Sequence, residues 1–285
     1  MEIKDLQTKQ NPNWCPGCGD YGIQVAVKQA LVELGLNQEN VVIVGGIGCG
    51  SKLPQWVNVY GFETIHGRLL PVASGARLAN HEMNVIGIGG DGDGYGIGMG
   101  HFVHTMRRNI NMNYFVQNNQ TYGLTKGQMS PTTEKGVKTT STPYGAIETP
   151  VNPIHLALSL GATYIARGYA GDVPHLVSLM KGAIEHKGFA FIDVLQPCVT
   201  FNKLNTYAFF HQRVFKLDTV ENYKTDDKLM AWEQSATWND KIAIGLFYEE
   251  NAPTYEDQEP GLAAGPLAKR ELGTVDMSEL MTHFI

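Results

Sequence analysis

Charged residues are scarce in this sequence of 285 residues. They make up 18% of it, below the roughly 25% typical of soluble domains. Basic residues are the rarer kind, with 22 Lys and Arg against 28 Asp and Glu, and the net charge is −6. Because binding to a nucleic-acid backbone depends on basic patches, we expect no nucleic-acid partner. The low charged fraction favours a chain that buries much of its surface against other subunits.

Long apolar runs are also lacking. No stretch of 18 consecutive apolar residues occurs, so we expect no membrane-spanning helix and no membrane partner. The first fourteen residues are polar and lack the apolar segment of a secretory signal, which predicts a cytoplasmic protein. Disulfides are rare in that compartment, so the four cysteines are expected to be ligands, nucleophiles or core residues.

Glycine, by contrast, is abundant, with 32 residues. Apolar β-branched runs alternate with segments of helical periodicity, which predicts a doubly wound, mainly parallel α/β sheet. Asp20 is predicted to cap the first helix. We expect an N-terminal arm at 1–20, a main domain at 21–200 and, at 201–285, an irregular extension that contacts other subunits. Strands are predicted at 41–44, 84–89, 114–116, 163–166, 189–195 and 242–247, and helices at 21–36, 71–80, 97–108, 154–161, 173–186 and 228–238.

The glycine clusters follow predicted strands, at 45–50, 89–94 and 118–127, and Cys198 follows another strand. Because ligands of parallel sheets bind at the carboxyl ends of the strands, these segments predict one composite site.

The sequence Gly90-Asp91-Gly92 indicates a phosphate site with a cation. Glycines let the backbone approach a phosphate, but an aspartate repels it unless a cation lies between them. Asp91, Asn119 and the carbonyl of Thr121 offer the oxygen ligands that Mg²⁺ prefers. Two alternatives are turns that merely end strands and a nicotinamide dinucleotide site. The second is disfavoured because acids lie inside the turn and none follows about twenty residues later.

The cysteines allow several interpretations. Cys15 and Cys18 are spaced to share one metal centre, whereas Cys49 and Cys198 stand alone at the predicted rim. The four fit a zinc site, a [4Fe–4S] cluster, thiol chemistry or plain burial. Their placement beside the phosphate loops favours a redox cluster.

Several motifs, taken in order, resemble the β subunit of the 2-oxoacid:ferredoxin oxidoreductases. The resemblance runs from about residue 13 to 200 and more loosely to about 250. The motifs are WCPGCGDYG from Trp14, GIGC from Gly46, HGR from His66, GDGD from Gly90, NNQTYGLTKGQ from Asn118, SPT from Ser130 and QPC from Gln196.

The resemblance implies the pyrophosphate domain of a thiamine diphosphate enzyme, with Mg²⁺ and one [4Fe–4S] cluster. It implies an α subunit, in an αβ or α2β2 assembly, that supplies the activating glutamate, so no catalytic glutamate is assigned in this chain. Coenzyme A, a 2-oxoacid and ferredoxin would be the other partners. The implied cluster ligands are Cys15, Cys18, Cys49 and Cys198, and the implied Mg²⁺ ligands are Asp91, Asn119 and Thr121. The implied cofactor-binding residues are Ile47, Gly48, Cys49, His66, Gly90, Asp91, Gly92, Asp93, Asn119, Thr121, Tyr122, Gly123, Leu124 and Thr125.

The substrate is expected to be 2-oxoglutarate. Lys52 and Lys126 could bind a second carboxylate of the substrate, and Leu124 leaves apolar room. The alternatives are pyruvate or a broad range of 2-oxoacids. An electron-transfer iron–sulfur protein and a non-redox thiamine diphosphate enzyme are the competing function classes.

Overall fold

The structure, a computed structural model, describes residues 1–238, 240–271, 273–274 and 276–284. The predicted extension at 201–285 also includes positions 239, 272, 275 and 285, which lie outside the described residues. No helix in the described ranges is long and apolar enough to cross a membrane.

The strands within these ranges form one large sheet and a small hairpin. They are β1 (Val41–Gly45), β2 (Tyr60–Glu63), β3 (Asn84–Gly90), β4 (Met112–Asn118), β5 (Thr121–Tyr122), β6 (Gln128–Met129), β7 (Tyr164–Tyr169), β8 (Phe189–Leu195), β9 (Val214–Lys216) and β10 (Ile242–Glu249). Eight of them form the sheet in the order β2-β1-β3-β4-β8-β7-β10-β9, and β5 pairs with β6. Neighbours in the sheet are parallel except β10 and β7. The predicted doubly wound, mainly parallel sheet is therefore confirmed.

Helices cover both faces of the sheet. The α-helices in the described ranges are α1 (Asp20–Glu33), α2 (Leu69–Ala79), α3 (Met99–Arg108), α4 (Pro153–Ser159), α5 (Val173–Glu185), α6 (Tyr207–His211), α7 (Lys228–Ser235), α8 (Tyr255–Gln258) and α9 (Ser278–Met281). Alternate residues of β1 show the two layers: Ile43 packs in the core with α1 and α5, whereas Val42 and Val44 pack in the core with α2 and α3. A strand covered on both faces is buried at every position, as β1 is.

The strand register aligns the carboxyl ends of the central strands. Gly90 at the end of β3 pairs with Gln117 of β4. Asn118 at the end of β4 pairs with Leu195, the last residue of β8. The segments that follow β3, β4 and β8 therefore leave the sheet side by side.

A buried ion pair fixes two of these strands beneath the rim. Arg167 and Asp193 face each other across β7 and β8, and Arg167 Nε donates to Asp193 Oδ2 at 3.2 Å. Asp193 Oδ1 accepts hydrogen bonds from Tyr95 Oη and Asn118 Nδ2, both at 3.0 Å. The carboxylate thus joins β7, β8, the end of β4 and the turn that follows β3.

Some local predictions were wrong. Asp20 is not the N-cap of α1: Gly19 takes that position without a side-chain cap, and Asp20 lies inside the helix and is fully buried. The helix predicted at 228–238 ends at Ser235. Strands β2 and β9 were not predicted; β2 is an edge strand that is exposed at all four positions and lacks an apolar run.

The N-terminal arm packs on the core. Its short 3₁₀ helix (Ile3–Leu6) presents Leu6, which is fully buried, while Ile3 is 42% exposed. The carbonyl of Leu6 accepts a hydrogen bond from the backbone of Asn58 at 3.1 Å. The arm therefore belongs to the same core as α1 and β1.

We predict that Leu6→Ala lowers the free energy of unfolding by about 2–5 kcal/mol, because it removes a fully buried side chain from the core. Ile3→Ala is the matched control in the same turn and should change it by less than about 0.5 kcal/mol. Chemical denaturation measures both. If both substitutions lower the free energy of unfolding by the same small amount, the arm does not pack as described.

Candidate functional site

A cavity of about 180 Å³ opens at the carboxyl ends of β1, β3 and β4. The segments that follow these three strands, together with the loop carrying His66, form its wall. The fourteen residues predicted to bind the cofactor all line it, and Gly50 and Gln117 line it as well. The structure thus gathers the predicted residues into one space, although their roles toward a cofactor remain predictions.

Asp91 is a buried carboxylate in this wall. The residue is 1% exposed, and its Oδ2 accepts hydrogen bonds from the hydroxyls of Ser130 and Thr132, both at 2.6 Å. Burial raises the pKa of Asp91 to about 6, although the two hydroxyl hydrogen bonds lower it. A buried carboxylate with a raised pKa is a site where a bound cation would supply the missing countercharge.

Asn119 and Thr121 complete the predicted set of oxygen ligands. Asn119 Oδ1 accepts from the backbone N–H of Thr121 at 3.1 Å, and its carbonyl accepts from Asn202 Nδ2 at 3.0 Å. Gln120, between them, has a left-handed backbone (φ 58°). This tight turn brings both residues to the wall that holds Asp91. The donor set of two side-chain oxygens and one carbonyl suits a hard divalent cation.

Asp93 acts differently from Asp91, because its carboxylate is occupied by the protein itself. Its Oδ1 accepts from the N–H of Ile47 at 3.0 Å, the N–H of Gly67 at 2.8 Å and the Nδ1 of His66 at 2.8 Å. These bonds hold the loop after β1 and the His66 loop against the turn after β3. The contact places a proton on Nδ1 of His66, because the carboxylate accepts, and it fixes the orientation of the ring.

Tyr122 lies directly against the turn that carries Asp91. Its hydroxyl donates to the carbonyl of Gly92 at 3.0 Å, and burial raises its pKa. A Cβ placed on Gly92 would collide with the ring of Tyr122. Glycine is therefore required at position 92 for this close approach.

Two of the four cysteines lie directly beside the cavity. A Cβ placed on Gly123 would lie 3.7 Å from the sulfurs of both Cys49 and Cys198. Cys49 and Gly123 also line the cavity. The backbone of Gly19 donates to the carbonyl of Pro197 at 3.2 Å, and Trp14 Nε1 donates to the carbonyl of Cys49 at 2.6 Å. These bonds draw the Cys15–Cys18 segment onto the two single cysteines.

The thiols influence one another electrostatically. Burial, with the charges of Asp20 and Cys198, raises the pKa of Cys49 to about 11. Burial also raises the pKa of Cys18. Among the described residues, no group of three or more His, Cys, Asp or Glu side chains is gathered closely enough to hold a single metal ion.

The three predicted substrate residues do not all line the cavity. Leu124 lines the cavity and is 45% exposed. Lys52 lies by the cysteines: its Nζ donates to Asn13 Oδ1 at 3.4 Å, and its charge lowers the pKa of Cys49 against the larger effect of burial. Lys126 is exposed in the turn between β5 and β6, and neither lysine lines the cavity.

Three further residues of the site, Ser130, Thr132 and Gln117, were not predicted from the sequence as functional. Ser130 and Thr132 lie in a long polar loop, where neither hydrophobic periodicity nor spacing marks them as partners of Asp91. Gln117 is 1% exposed, donates from Nε2 to the carbonyl of Gly50 at 3.3 Å, and leaves Oε1 without a partner. A glutamine inside an apolar strand was the available signal, because a buried amide needs partners.

Comparisons with known proteins identify the families that the chain matches. Residues 46–194 match the family described as thiamine pyrophosphate enzyme, C-terminal TPP binding domain. Residues 198–264 match the family that describes the C-terminal part of the pyruvate ferredoxin oxidoreductase beta subunit. The fold and the first match define a thiamine pyrophosphate enzyme.

Proteins with similar sequences show which family of thiamine pyrophosphate enzymes the chain belongs to. The chain is 48% identical over 263 residues to the 2-oxoacid:ferredoxin oxidoreductase subunit beta of Sulfolobus sp, covering 88% of this chain and 86% of the relative. It is 49% identical to the subunit of that name in Saccharolobus solfataricus, covering 86% and 85%. The chain belongs to the β subunits of the 2-oxoacid:ferredoxin oxidoreductases, so it is a subunit of an oxidoreductase.

A solved structure is similar over nearly the whole chain. It is a 2-oxoglutarate:ferredoxin oxidoreductase from Magnetococcus marinus with 2-oxoglutarate, coenzyme A and succinyl-CoA bound. The TM-score is 0.91 at 38% identity, covering 99% of this chain and 96% of the other.

We predict that Gly92→Ala weakens binding of thiamine diphosphate about tenfold or more, because the new methyl forces Tyr122 and the turn apart. Gly100→Ala is the control: it lies in α3, nothing lies within 4 Å of its Cβ position, and binding should not change. Titration calorimetry with Mg²⁺ and thiamine diphosphate measures both. Unchanged affinity in Gly92→Ala would contradict the assigned cavity.

Proposed function

We propose that this chain carries the thiamine diphosphate and cluster sites of an enzyme that oxidises 2-oxoglutarate with coenzyme A to succinyl-CoA and CO₂, and passes the electrons to ferredoxin. The observation that carries the proposal is the wall shared by the cavity and the cysteines, because Cys49 and Gly123 belong to both. A redox centre in direct contact with an organic cofactor site is what this oxidation requires and what a simple decarboxylase lacks.

The cavity residues fit Mg²⁺ and a diphosphate. Asp91 is buried with a raised pKa, and Asn119 and the Thr121 carbonyl add neutral oxygens on the same wall. These three would hold the cation, and the glycines on either side of Asp91 would let the diphosphate reach the backbone. When bound, thiamine diphosphate supplies an electron sink for loss of CO₂ from a 2-oxoacid.

The chain's own side chains would orient the bound groups. His66 lines the cavity and is held through Nδ1 by Asp93, so Nε2 would be the ring nitrogen that meets a ligand. Leu124 contributes an apolar surface and excludes water from one side of the cavity. Tyr122 keeps the Asp91 turn closed through its bond to Gly92.

The four cysteines are the ligands that we propose for a four-iron cluster. The sulfurs of Cys49 and Cys198 both lie beside Gly123, which lines the cavity. Cys15, Cys18, Cys49 and Cys198 would hold the cluster, and Cys15 is the exposed member. Cys49 is the member of this set that lines the cavity, and a cluster bound by the four cysteines would supply the electron-transfer centre.

A partner subunit is needed to complete the site. Among the residues lining the cavity, the carboxylates are Asp91 and Asp93; the first is reserved for the cation and the second is bound to protein donors. A glutamate to activate the cofactor would therefore come from an α subunit, in an αβ or α2β2 assembly. Exposed apolar side chains on either side of the His66 loop, Ile65 and Ile97, offer it a surface.

The direct test is purification with the α subunit, followed by iron, thiamine and activity measurements. We expect four irons and one thiamine diphosphate per chain, and fastest reduction of a viologen dye with 2-oxoglutarate and coenzyme A. Thiamine without iron would overturn the redox proposal, and iron without thiamine would indicate an electron-transfer protein. Faster turnover of pyruvate would overturn the substrate assignment.

We predict that Lys126→Gly raises KM for 2-oxoglutarate about tenfold or more, because a charge-assisted hydrogen bond contributes about 1.5–3 kcal/mol. KM for 2-oxobutyrate, which lacks the second carboxylate, should stay unchanged. Lys126 has φ 77°, so glycine introduces no backbone strain there. Lys135→Gly, at an exposed lysine in the segment that follows β6, is the control. Equal effects on both substrates would contradict this role.

A further inference from the structure

Gln196, the residue after β8, places its side-chain amide on one of the cysteine sulfurs. Gln196 Nε2 donates to Cys18 Sγ at 3.2 Å. The residue is 1% exposed, and its Oε1 has no partner. Burying an amide oxygen without a hydrogen-bond partner costs free energy. A glutamine kept at this position despite that cost indicates that the hydrogen bond from its nitrogen to the sulfur of Cys18 has a function.

The orientation of this amide is determined by its second contact. Nε2 also donates to the carbonyl of Pro197 at 3.2 Å. A carbonyl can only accept, so the nitrogen and not the oxygen must face it. The two amide hydrogens are therefore directed to the carbonyl of Pro197 and to the sulfur of Cys18.

The surrounding backbone holds the side chain in place. The N–H of Gln196 donates to the carbonyl of Asn118 at 3.0 Å, next to Asn119 of the cofactor wall. On the other side, a Cβ on Gly19 would lie 2.8 Å from Gln196 Cγ, so the glycine backbone packs on the glutamine chain. Gln196 thus bridges the end of β4 and the Cys15–Cys18 segment.

The sulfur of Cys18 has a second polar neighbour. Cys18 Sγ lies 3.3 Å from Asp20 Oδ2, and Asp20 is fully buried. A cluster-bound sulfur has no proton to offer this carboxyl group, and negative charge beside it would disfavour reduction of a cluster. The amide of Gln196 is a donor at the same sulfur that does not change its protonation with pH.

We propose that Gln196 is a positioning residue whose N–H···S hydrogen bond to Cys18 raises the reduction potential of the cluster; this inference rests on the proposed function. A hydrogen bond to a ligand sulfur stabilises the reduced cluster more than the oxidised one, because the reduced form carries one more negative charge. The bond therefore makes uptake of one electron from the cofactor side easier.

The test is a redox titration of the cluster, followed by electron paramagnetic resonance, in the assembled enzyme. Gln196→Met keeps the length of the side chain and removes the donor, and it should shift the midpoint potential to a more negative value. Gln24→Met is the matched control: Gln24 is a buried glutamine that donates to the carbonyl of Trp56 at 2.9 Å, and its loss should leave the potential unchanged.

A second measurement uses the wild-type enzyme, so it does not depend on folding of a variant. With ¹⁵N in the glutamine side-chain amides, pulsed resonance of the reduced cluster should detect a weakly coupled nitrogen. Two results would overturn this inference and leave the proposed function intact. One is an unshifted midpoint potential in a Gln196→Met variant with normal iron content, and the other is the absence of a coupled nitrogen in the wild-type enzyme. Absence of iron from the wild-type assembly would overturn the proposed function and the inference with it.

Discussion

The hydrogen bonds accepted by the carboxylate of Asp93 determine how the loops at the carboxyl ends of the strands are arranged. The carboxylate accepts three hydrogen bonds, from the backbone of Ile47 and Gly67 and from the ring of His66. Because the residue is almost fully buried, these donors compensate a charge that would otherwise be costly to bury. The loop after β1, the His66 loop and the turn after β3 are thereby held together. Asp91, two residues earlier, can then line the cavity without supporting these loops itself.

The arrangement of the strand ends also explains why the cofactor cavity and the cysteines lie next to each other. Parallel register brings the segments after β3, β4 and β8 out side by side, and the backbone of Gly123 passes close to two cysteine sulfurs. Cys49 belongs to the loop after β1, so it lines the cavity and lies beside the other cysteines at once. In the proposed function, this adjacency gives electrons a short path from the organic cofactor to the surface. In this proposal a single chain would supply the cation ligands and the cluster ligands, and the partner subunit would supply the activating acid.

Much of the fold and of the candidate site could be predicted from the sequence, because the patterns that mark strands and strand ends are local. Buried β-branched runs mark the strands, and strand ends place Asp91, Asn119 and Cys198 at one rim. What could not be predicted depends on side-chain contacts between distant segments. Ser130 and Thr132 bind Asp91 from a loop without periodicity, and Gln196 reaches Cys18 across 178 positions. Asp20 has the residue type of a helix cap, yet tertiary burial beside Cys18 determined its position. Lys52 lies beside the cysteines, and its predicted role toward the substrate stays a prediction.

The central claim is that the cysteine centre and the cofactor cavity share the wall formed by Cys49 and Gly123. Anomalous diffraction at the iron edge, on crystals of the chain assembled with its α subunit and thiamine diphosphate, tests it most directly. The account predicts one iron peak enclosed by Cys15, Cys18, Cys49 and Cys198, in contact with Gly123, and the diphosphate on Asp91 across that wall. Iron bound elsewhere, or a diphosphate outside this cavity, would contradict it.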